Sequence, residues 1–162
     1  APSEKSANDK GKDDVRIKGV GRLLTSIAKC CQPVPGDAIT GYITVGRGVS
    51  IHRQDCMNLL QLEDAEPNRI IEVSWGHEED TVYGVSIEIQ AYDREGLLRD
   101  ITIVLANEKA NLTGVNSFSD EQENIAMIAI AMEVVNLEIL GRVLAKVKQL
   151  PNIIDARRKR NA

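Results

Sequence analysis

The chain has 162 residues, of which 43% are hydrophobic and 27% are charged. These proportions are ordinary for a soluble globular protein and exclude a collagen, a coiled coil or a wholly disordered chain. The length is typical of one ordinary domain or two small ones. No apolar run approaches the roughly 18 residues that suggest a membrane span, so we expect no membrane partner. A cytoplasmic location is a separate expectation.

The charge is unevenly distributed along the chain. The formal net charge is −4 and aromatic residues make up only 3%, which disfavours recognition of single-stranded bases by stacking. Basic residues nevertheless outnumber acidic ones between residues 16 and 53, and again between residues 142 and 160. Two such stretches can meet phosphate groups locally. Solvated charge that merely balances the surface is the alternative.

Two polar segments divide the chain. Residues 1–14 carry alternating charges without apolar periodicity, which predicts a disordered linker. They contain no apolar stretch of a secretory signal and no initiating Met, which indicates a piece of a longer protein. A second polar joint at residues 76–81 separates two units, residues 15–76 and residues 81–160.

The first unit is small and rich in turns. Residues 39–45 and 49–51 flank Gly46, Arg47 and Gly48, which predicts a hairpin. Residues 33–37 predict a rigid turn, residues 55–62 a helix and residues 70–75 a strand. Because a unit of this size buries little core, we expect a covalent or metal cross-link to stabilise it.

The second unit has clearer periodicity. Residues 82–92 alternate apolar and polar, which predicts a strand. Residues 97–109 carry apolar side chains three and four apart, which predicts a helix. Two further strands, at 112–119 and 124–135, flank a polar turn. A second helix follows from residue 137 and ends before Pro151. A last strand covers 153–157. This order predicts a ferredoxin-like βαββαβ fold with two helices on one face of a four-stranded antiparallel sheet.

All three cysteines lie in the first unit. Cys30 and Cys31 are adjacent, and His52 precedes Cys56 by four residues. If a helix begins at His52, one turn places His52 and Cys56 on the same face. Four such ligands predict a closed, structural Cys₃His zinc site. The alternative is three buried thiols that coincide with a histidine, with one of the adjacent cysteines directed into the core.

No catalytic residues are predicted. The sequence lacks a phosphate-binding glycine-rich loop followed by Lys and Ser or Thr, a metalloprotease His-Glu motif and an obvious Ser/His/Asp order. A dyad of Cys56 and His52 is conceivable, but it has no evident oxyanion-stabilising or orienting group.

Four stretches of the sequence resemble one known family. Residues 26–37 and 46–56, which contain the Cys-Cys and His…Cys motifs, resemble the C-terminal regulatory region of the RelA/SpoT family of (p)ppGpp enzymes. Residues 93–101 and 150–158 are similar to the terminal ACT domain of that family. The resemblance is closer to the ribosome-associated synthetase type than to the SpoT type. It covers roughly residues 15–160 and leaves out the catalytic hydrolase and synthetase domains.

The resemblance implies a fold class and a function. The fold would be α+β, with a compact α/β zinc-finger-like domain followed by a ferredoxin-like ACT domain. The family motif assigns Zn²⁺ to Cys30, Cys31, His52 and Cys56. The family docks on the stalled ribosome beside uncharged tRNA, against the A-site finger of 23S rRNA and a small-subunit protein. The resemblance thereby implies a module that relays amino-acid starvation to a GTP pyrophosphokinase, with four basic residues contacting phosphates: Arg22, Lys29, Arg47 and Arg53.

A second interpretation concerns small molecules. ACT domains of other enzymes often bind amino acids between paired copies, and the matching positions here are Asp93, Gly96 and Asn111. This implies a sensor for a branched-chain amino acid. Self-association, as a homodimer through the open ACT sheet, is compatible with either interpretation.

Overall fold

The computed structural model describes residues 17–21, 23–76 and 81–159. The predicted linker at residues 1–14 and the predicted RNA contact Arg22 lie outside the described residues. The chain divides into two compact units, the first extending to Thr81 and the second beginning at Val82. Within the described part of the chain, none of the helices has the length and apolar character needed to cross a membrane.

The first unit is built on a four-stranded sheet and a short two-stranded ribbon. Its elements in chain order are β1 (Ile17–Lys18), β2 (Thr25–Ile27), β3 (Ile39–Thr44), β4 (Gly48–Arg53), α1 (Met57–Ala65), a 3₁₀ turn (Pro67–Arg69), β5 (Ile70–Ile71) and β6 (Ser74–Trp75). The sheet order is β2-β4-β3-β5, and β1 pairs with β6. β2 runs parallel to β4, whereas the other pairs are antiparallel.

The predicted hairpin is confirmed as β3 and β4, but three other expectations need correction. The expected strand at 70–75 is broken into β5 and β6, and the expected helix begins at Met57 rather than at residue 55. His52 lies in β4 and not at the start of a helix. Because β4 pairs through its whole length with β3, cross-strand hydrogen bonding extends the strand through His52 to Arg53.

The two faces of β4 serve different purposes. Val49 and Ile51 are fully buried in a core cluster with Ile17, Ile39 and Val73. Since side chains alternate along a strand, the intervening Ser50 and His52 lie on the opposite face. One face of β4 therefore supports the core while the other presents polar side chains.

Gly48 permits the parallel pairing of β2 with β4. Its φ is +83°, and a Cβ at this position would overlap the carbonyl oxygen of Leu24. That same oxygen accepts a hydrogen bond of 2.7 Å from the backbone N–H of Val49. A left-handed residue without a side chain is therefore needed where β2 meets β4.

The second unit has the predicted βαββαβ order, which confirms the ferredoxin-like fold. Its elements are β7 (Tyr83–Tyr92), α2 (Leu97–Asn107), β8 (Asn111–Asp120), β9 (Ile125–Val134), α3 (Leu137–Lys148) and β10 (Ile153–Arg158). The sheet order is β10-β7-β9-β8, and all pairs are antiparallel.

The apolar side chains that predicted the two helices are the ones that they bury. Ile101 and Leu105 of α2 are buried, as are Leu140 and Val143 of α3. The Asn136 side chain caps α3 by accepting a hydrogen bond of 2.9 Å from the backbone N–H of Ile139. These apolar stripes pack against the alternating inward residues of β7 and β9, as expected for amphipathic helices on one sheet face.

The edge strand β8 is the exception to this burial. Every residue from Asn111 to Asp120 is exposed except Gly114, which is half-buried. Leu112, Val115 and Phe118 are among the exposed large hydrophobic side chains. Among the described strands β8 pairs only with β9, so its outer edge presents backbone groups that no described strand pairs.

Candidate metal centre

The three sulfurs and the imidazole of the first unit meet in one cluster. Nδ1 of His52 lies 3.5 Å from Sγ of Cys30, 3.8 Å from Sγ of Cys31 and 3.7 Å from Sγ of Cys56. Sγ of Cys30 lies 3.6 Å from Sγ of Cys56, and all four ligand atoms lie within 4.8 Å of one another. The cysteines are free thiols. Both adjacent cysteines therefore point into the cluster, and neither turns away.

These separations fit a tetrahedral ion. Bonds of about 2.3 Å to sulfur and about 2.0 Å to nitrogen place two sulfurs about 3.8 Å apart, and a sulfur and a nitrogen about 3.5 Å apart, around zinc. The three sulfur–nitrogen separations of 3.5–3.8 Å and the Cys30–Cys56 sulfur separation of 3.6 Å are close to these values, and the other two sulfur pairs lie within 4.8 Å. Three thiolates and one imidazole are also the donor set that zinc prefers, with no position left for water.

The chain reaches the cluster through two tight turns. The backbone N–H of Gln32 donates to the carbonyl oxygen of Ala28 over 3.0 Å, which closes one helical turn around the adjacent cysteines. Gln32 then adopts a left-handed φ of 48°. After β4, the N–H of Cys56 donates to the oxygen of Arg53 over 3.0 Å, and Cys56 is the N-cap residue of α1. His52 and Cys56 thus converge through a strand followed by a turn.

Burial keeps the ligand atoms away from water and shifts their pKa values. Cys31, His52 and Cys56 are at most 6% exposed, and Leu59 packs against the sulfurs. Loss of hydration raises the pKa of Cys30, raises the pKa of Cys31 to about 12 and lowers the pKa of His52. Without an ion these shifts favour the neutral forms of Cys30, Cys31 and His52, and a bound divalent cation would draw off thiol protons.

Several neighbours contact the ligand atoms from outside the cluster. Ser50 Oγ lies 2.9 Å from Nε2 of His52. The backbone N–H of Arg53 donates to Sγ of Cys31 over 3.3 Å, and the side chain of Asn58 hydrogen-bonds Cys30, which opposes the rise of the pKa of that thiol. N–H donors of this kind offset the negative charge of three thiolates around one divalent ion. Neither Ser50 nor Asn58 is among the residues predicted from the sequence, although the Ser-x-His spacing within a strand would place Ser50 beside His52.

The basic residues predicted to contact RNA do not all gather at one place. β2 and β4 run parallel, so Lys29 and Arg53 lie at the same end of the sheet, next to the metal cluster. Arg47 lies in the β3–β4 turn at the opposite end, about 20 Å away along the strand. Arg53 pairs with Asp55 over 2.6 Å. Among the described residues, Lys29 and Arg47 have no hydrogen-bond or ion-pair partner.

The residues predicted to bind an amino acid are likewise divided. Asp93 and Gly96 line an open cavity of about 360 Å³ with Ser117 and Ser119, and the hydroxyl of Ser119 donates to Asp93 Oδ2 over 3.2 Å. Asn111 lies at the other end of β8, on the order of 30 Å away along the strands. There its amide donates to Glu133 over 3.0 Å. Within one copy, Asn111 is not part of this cavity.

Comparison with known proteins assigns each unit to a domain family. Residues 15–76 match the RelA/SpoT RIS domain, and residues 79–158 match the ACT domain. The fold and the cysteine cluster thus define a pair of small regulatory domains. The chain belongs to the RelA/SpoT family, as the resemblance predicted, and it corresponds to the C-terminal region of a GTP pyrophosphokinase. The match to these proteins covers only the part that holds the RIS and ACT domains.

The curated relatives are much longer proteins. The chain is 49% identical over 152 residues to the GTP pyrophosphokinase of Escherichia coli K12, covering 93% of this chain and 20% of that protein. It is 46% identical over 158 residues to the GTP pyrophosphokinase of Haemophilus influenzae, covering 98% and 21%. It is 38% identical over 158 residues to the bifunctional (p)ppGpp synthase/hydrolase RelA of Mycobacterium tuberculosis, covering 98% and 21%. The chain therefore spans about a fifth of these relatives.

Among solved structures, the chain is similar to the ACT domain of a GTP pyrophosphokinase from Chlorobium tepidum. The TM-score is 0.44 at 19% identity, and the match covers 49% of this chain and 100% of that domain.

Proposed function

We propose that this chain is the ribosome-binding regulatory part of a cytoplasmic (p)ppGpp synthetase. It would bind ribosomal RNA and relay amino-acid starvation to catalytic domains elsewhere in the full-length protein. The observation that carries the proposal is that the RIS and ACT domains occur here in tandem, at up to 49% identity to proteins named GTP pyrophosphokinase. The partners would be the A-site finger of 23S rRNA, a small-subunit protein and uncharged tRNA.

The metal would have a structural role in this function. Zn²⁺ held by Cys30, Cys31, His52 and Cys56 would cross-link the end of β2, the end of β4 and the start of α1. A site with four protein ligands has no open position, so the ion would serve stability rather than chemistry. The small core of the first unit gains most from such a cross-link.

Phosphate contact is the mode of RNA binding that the residues support. Lys29 and Arg47 are exposed and unpaired within the described chain, so neither must break an ion pair to meet a phosphate. Arg53 would exchange Asp55 for a phosphate, which costs little at a surface. Contacts of this kind position a protein on RNA without aromatic stacking, in keeping with an aromatic content of 3%.

Co-sedimentation with ribosomes at increasing salt tests this proposal. We expect the chain to pellet with ribosomes at low salt and to be released as salt rises, because each phosphate contact displaces counterions. Binding that persists unchanged at high salt would contradict phosphate contact. A chain that stays in the supernatant at all salt concentrations would contradict ribosome binding.

The cavity of the second unit supports a second candidate function, an amino-acid sensor. Asp93 can accept an ammonium group there, and the cavity also contains Arg94 and the two serine hydroxyls. The volume of about 360 Å³ suits a small ligand. The exposed edge of β8 would allow two copies to pair into one sheet, which would bring Asn111 of a second copy toward the cavity.

Thermal unfolding with added amino acids tests the sensor. If a branched-chain amino acid binds, valine or isoleucine should raise the Tm in a concentration-dependent way, and alanine serves as the control. Sedimentation velocity at several concentrations tests the homodimer. An unchanged Tm and a monomer at all concentrations would contradict this candidate and leave the ribosome proposal intact.

A further inference from the structure

The imidazole of His52 is held on both sides. Nδ1 faces the three sulfurs at 3.5–3.8 Å. On the opposite side of the ring, Nε2 lies 2.9 Å from the hydroxyl oxygen of Ser50. Ser50 and His52 are two residues apart on β4, so both side chains project from the same face of the strand. The strand itself therefore sets the geometry of this contact.

The chemistry of the ring gives the contact a definite direction. A neutral imidazole carries a proton on one nitrogen and a lone pair on the other. If Nδ1 ligates a metal through its lone pair, the proton must be on Nε2. Ser50 Oγ is then the acceptor of that N–H.

We propose that Ser50 is a positioning residue of the metal centre. Its hydroxyl accepts the Nε2–H of His52 and holds the ring in the tautomer and orientation in which Nδ1 points at the ion. The inference rests on the metal site under Proposed function. It adds a residue outside the ligand set, and outer-shell partners of histidine ligands commonly contribute about 10- to 100-fold to metal affinity.

The position of Ser50 allows its role at the metal centre to be tested without disturbing the core. Ser50 is half-buried, and the core of the unit lies on the other face of β4 with Val49 and Ile51. Removing the hydroxyl therefore leaves that core intact. Ser26 on β2 is the register partner of Ser50, and its hydroxyl makes no hydrogen bond to the described residues. Ser26 is thus a matched serine on the neighbouring strand without a contact to the cluster.

The test is the zinc affinity of four proteins, measured by competition with a chelator of known affinity. These are the wild type and the variants Ser50→Ala, Ser50→Thr and Ser26→Ala. We expect Ser50→Ala to bind zinc about tenfold more weakly or worse. Ser50→Thr, which keeps a hydroxyl and suits a strand, should recover most of the loss. Ser26→Ala should equal the wild type.

The possible outcomes are distinguishable. A wild type that binds no zinc overturns the metal site itself. A wild type that binds zinc, with Ser50→Ala equal to it, overturns only the role of Ser50. The ring nitrogens of zinc-loaded wild type, observed by ¹⁵N NMR, give a measurement that needs no variant. A proton on Nε2 and metal on Nδ1 support the proposal, and the reverse assignment overturns it.

Discussion

Nδ1 of His52 lies 3.5 Å from Sγ of Cys30, although 22 residues separate them in the chain. Cys30 follows β2 and His52 is the penultimate residue of β4, and these two strands are parallel neighbours. Between them the chain forms the β3–β4 hairpin and returns. An ion shared by these atoms would therefore fasten the parallel pair, which has only three residue pairs in register.

Removal of a metal ligand should release the ion and loosen the first unit. We expect His52→Ala or Cys56→Ala to lose bound zinc by elemental analysis and to unfold at lower urea, because binding free energy at such sites is folding free energy. Trp75, the single tryptophan, reports on this unit by fluorescence. Met57→Ala, at an exposed neighbour of Cys56, is the control and should keep both properties. Wild-type protein purified without chelator and found to be free of zinc would contradict the prediction.

The stability of the metal-free protein should depend on pH in two windows. Burial raises the pKa of Cys31 from 9.0 to about 12. The contribution of this thiol to the free energy of unfolding is therefore complete below pH 9 and is lost as the pH rises toward 12. Burial lowers the pKa of His52 from 6.5, so its contribution is present above pH 6.5 and is lost as the pH falls.

Urea unfolding of chelator-treated protein, followed by Trp75 fluorescence, should therefore show a plateau between about pH 6.5 and pH 9. Zinc-loaded protein should lack the alkaline loss, because its thiols are already ionised. A constant urea midpoint from pH 7 to pH 11 in the metal-free protein would refute the assignment.

Substitution of Gly48 should be far more costly than substitution of Gly46. Both residues have a left-handed φ, +83° and +77°, so alanine is strained at either position by about 1 kcal/mol. Only at Gly48 would the added Cβ overlap the Leu24 carbonyl. We expect Gly48→Ala to destabilise the first unit by about 2 kcal/mol more than Gly46→Ala. Equal urea midpoints for the two variants would show that β2 does not pair with β4 as described.

The basic residues of the first unit should matter for ribosome binding and not for folding. We expect Arg47→Ala with Arg53→Ala to weaken co-sedimentation and to reduce its salt dependence, because two phosphate contacts are lost. Trp75 fluorescence should report an unchanged fold. The matched control is Lys148→Ala with Arg142→Ala, since Arg142 is paired with Glu138 much as Arg53 is paired with Asp55. Weaker binding in the control alone would place the contact in the second unit.

In the second unit, replacing a buried side chain should destabilise the fold more than replacing an exposed one. Ile130 on β9 is fully buried, so Ile130→Ala should cost about 2–5 kcal/mol through lost contacts and a cavity. Ile103 on α2 is 49% exposed, and Ile103→Ala should cost less than about 1 kcal/mol. Thermal unfolding followed by circular dichroism measures both. Similar losses for the two variants would be inconsistent with the helix–sheet packing described.

The second unit was predictable from sequence because its signals are local. The 3.6-residue stripes of α2 and α3 and the alternation of β7 place the elements within a residue or two. The exposure of β8 was not predictable. Leu112, Val115 and Phe118 are apolar, but their burial depends on whether a strand is central or at the edge, and this is decided by sheet order rather than by the strand's own residues.

In the first unit the ligand set was predictable and the geometry was not. The spacing of His52 and Cys56 suggested one helix face, whereas pairing with β3 keeps His52 in a strand. The adjacent cysteines lie in a turn closed by the bond from the Gln32 N–H to the Ala28 oxygen, and Gln32 itself is left-handed, a conformation that nothing in the residue type favours. Arg47 and Arg53 lie far apart because they are at opposite ends of β4. Their closeness in the sequence does not show this until the strand is known.

The parallel pairing of β2 with β4 also bears on the order of folding events. The four donors come together only once the hairpin between them has formed, so we expect four-fold coordination to complete late in folding. Interactions that form after the transition state slow unfolding and leave the folding rate nearly unchanged. Zinc would then slow the unfolding of the folded domain, and it would not be part of the folding nucleus.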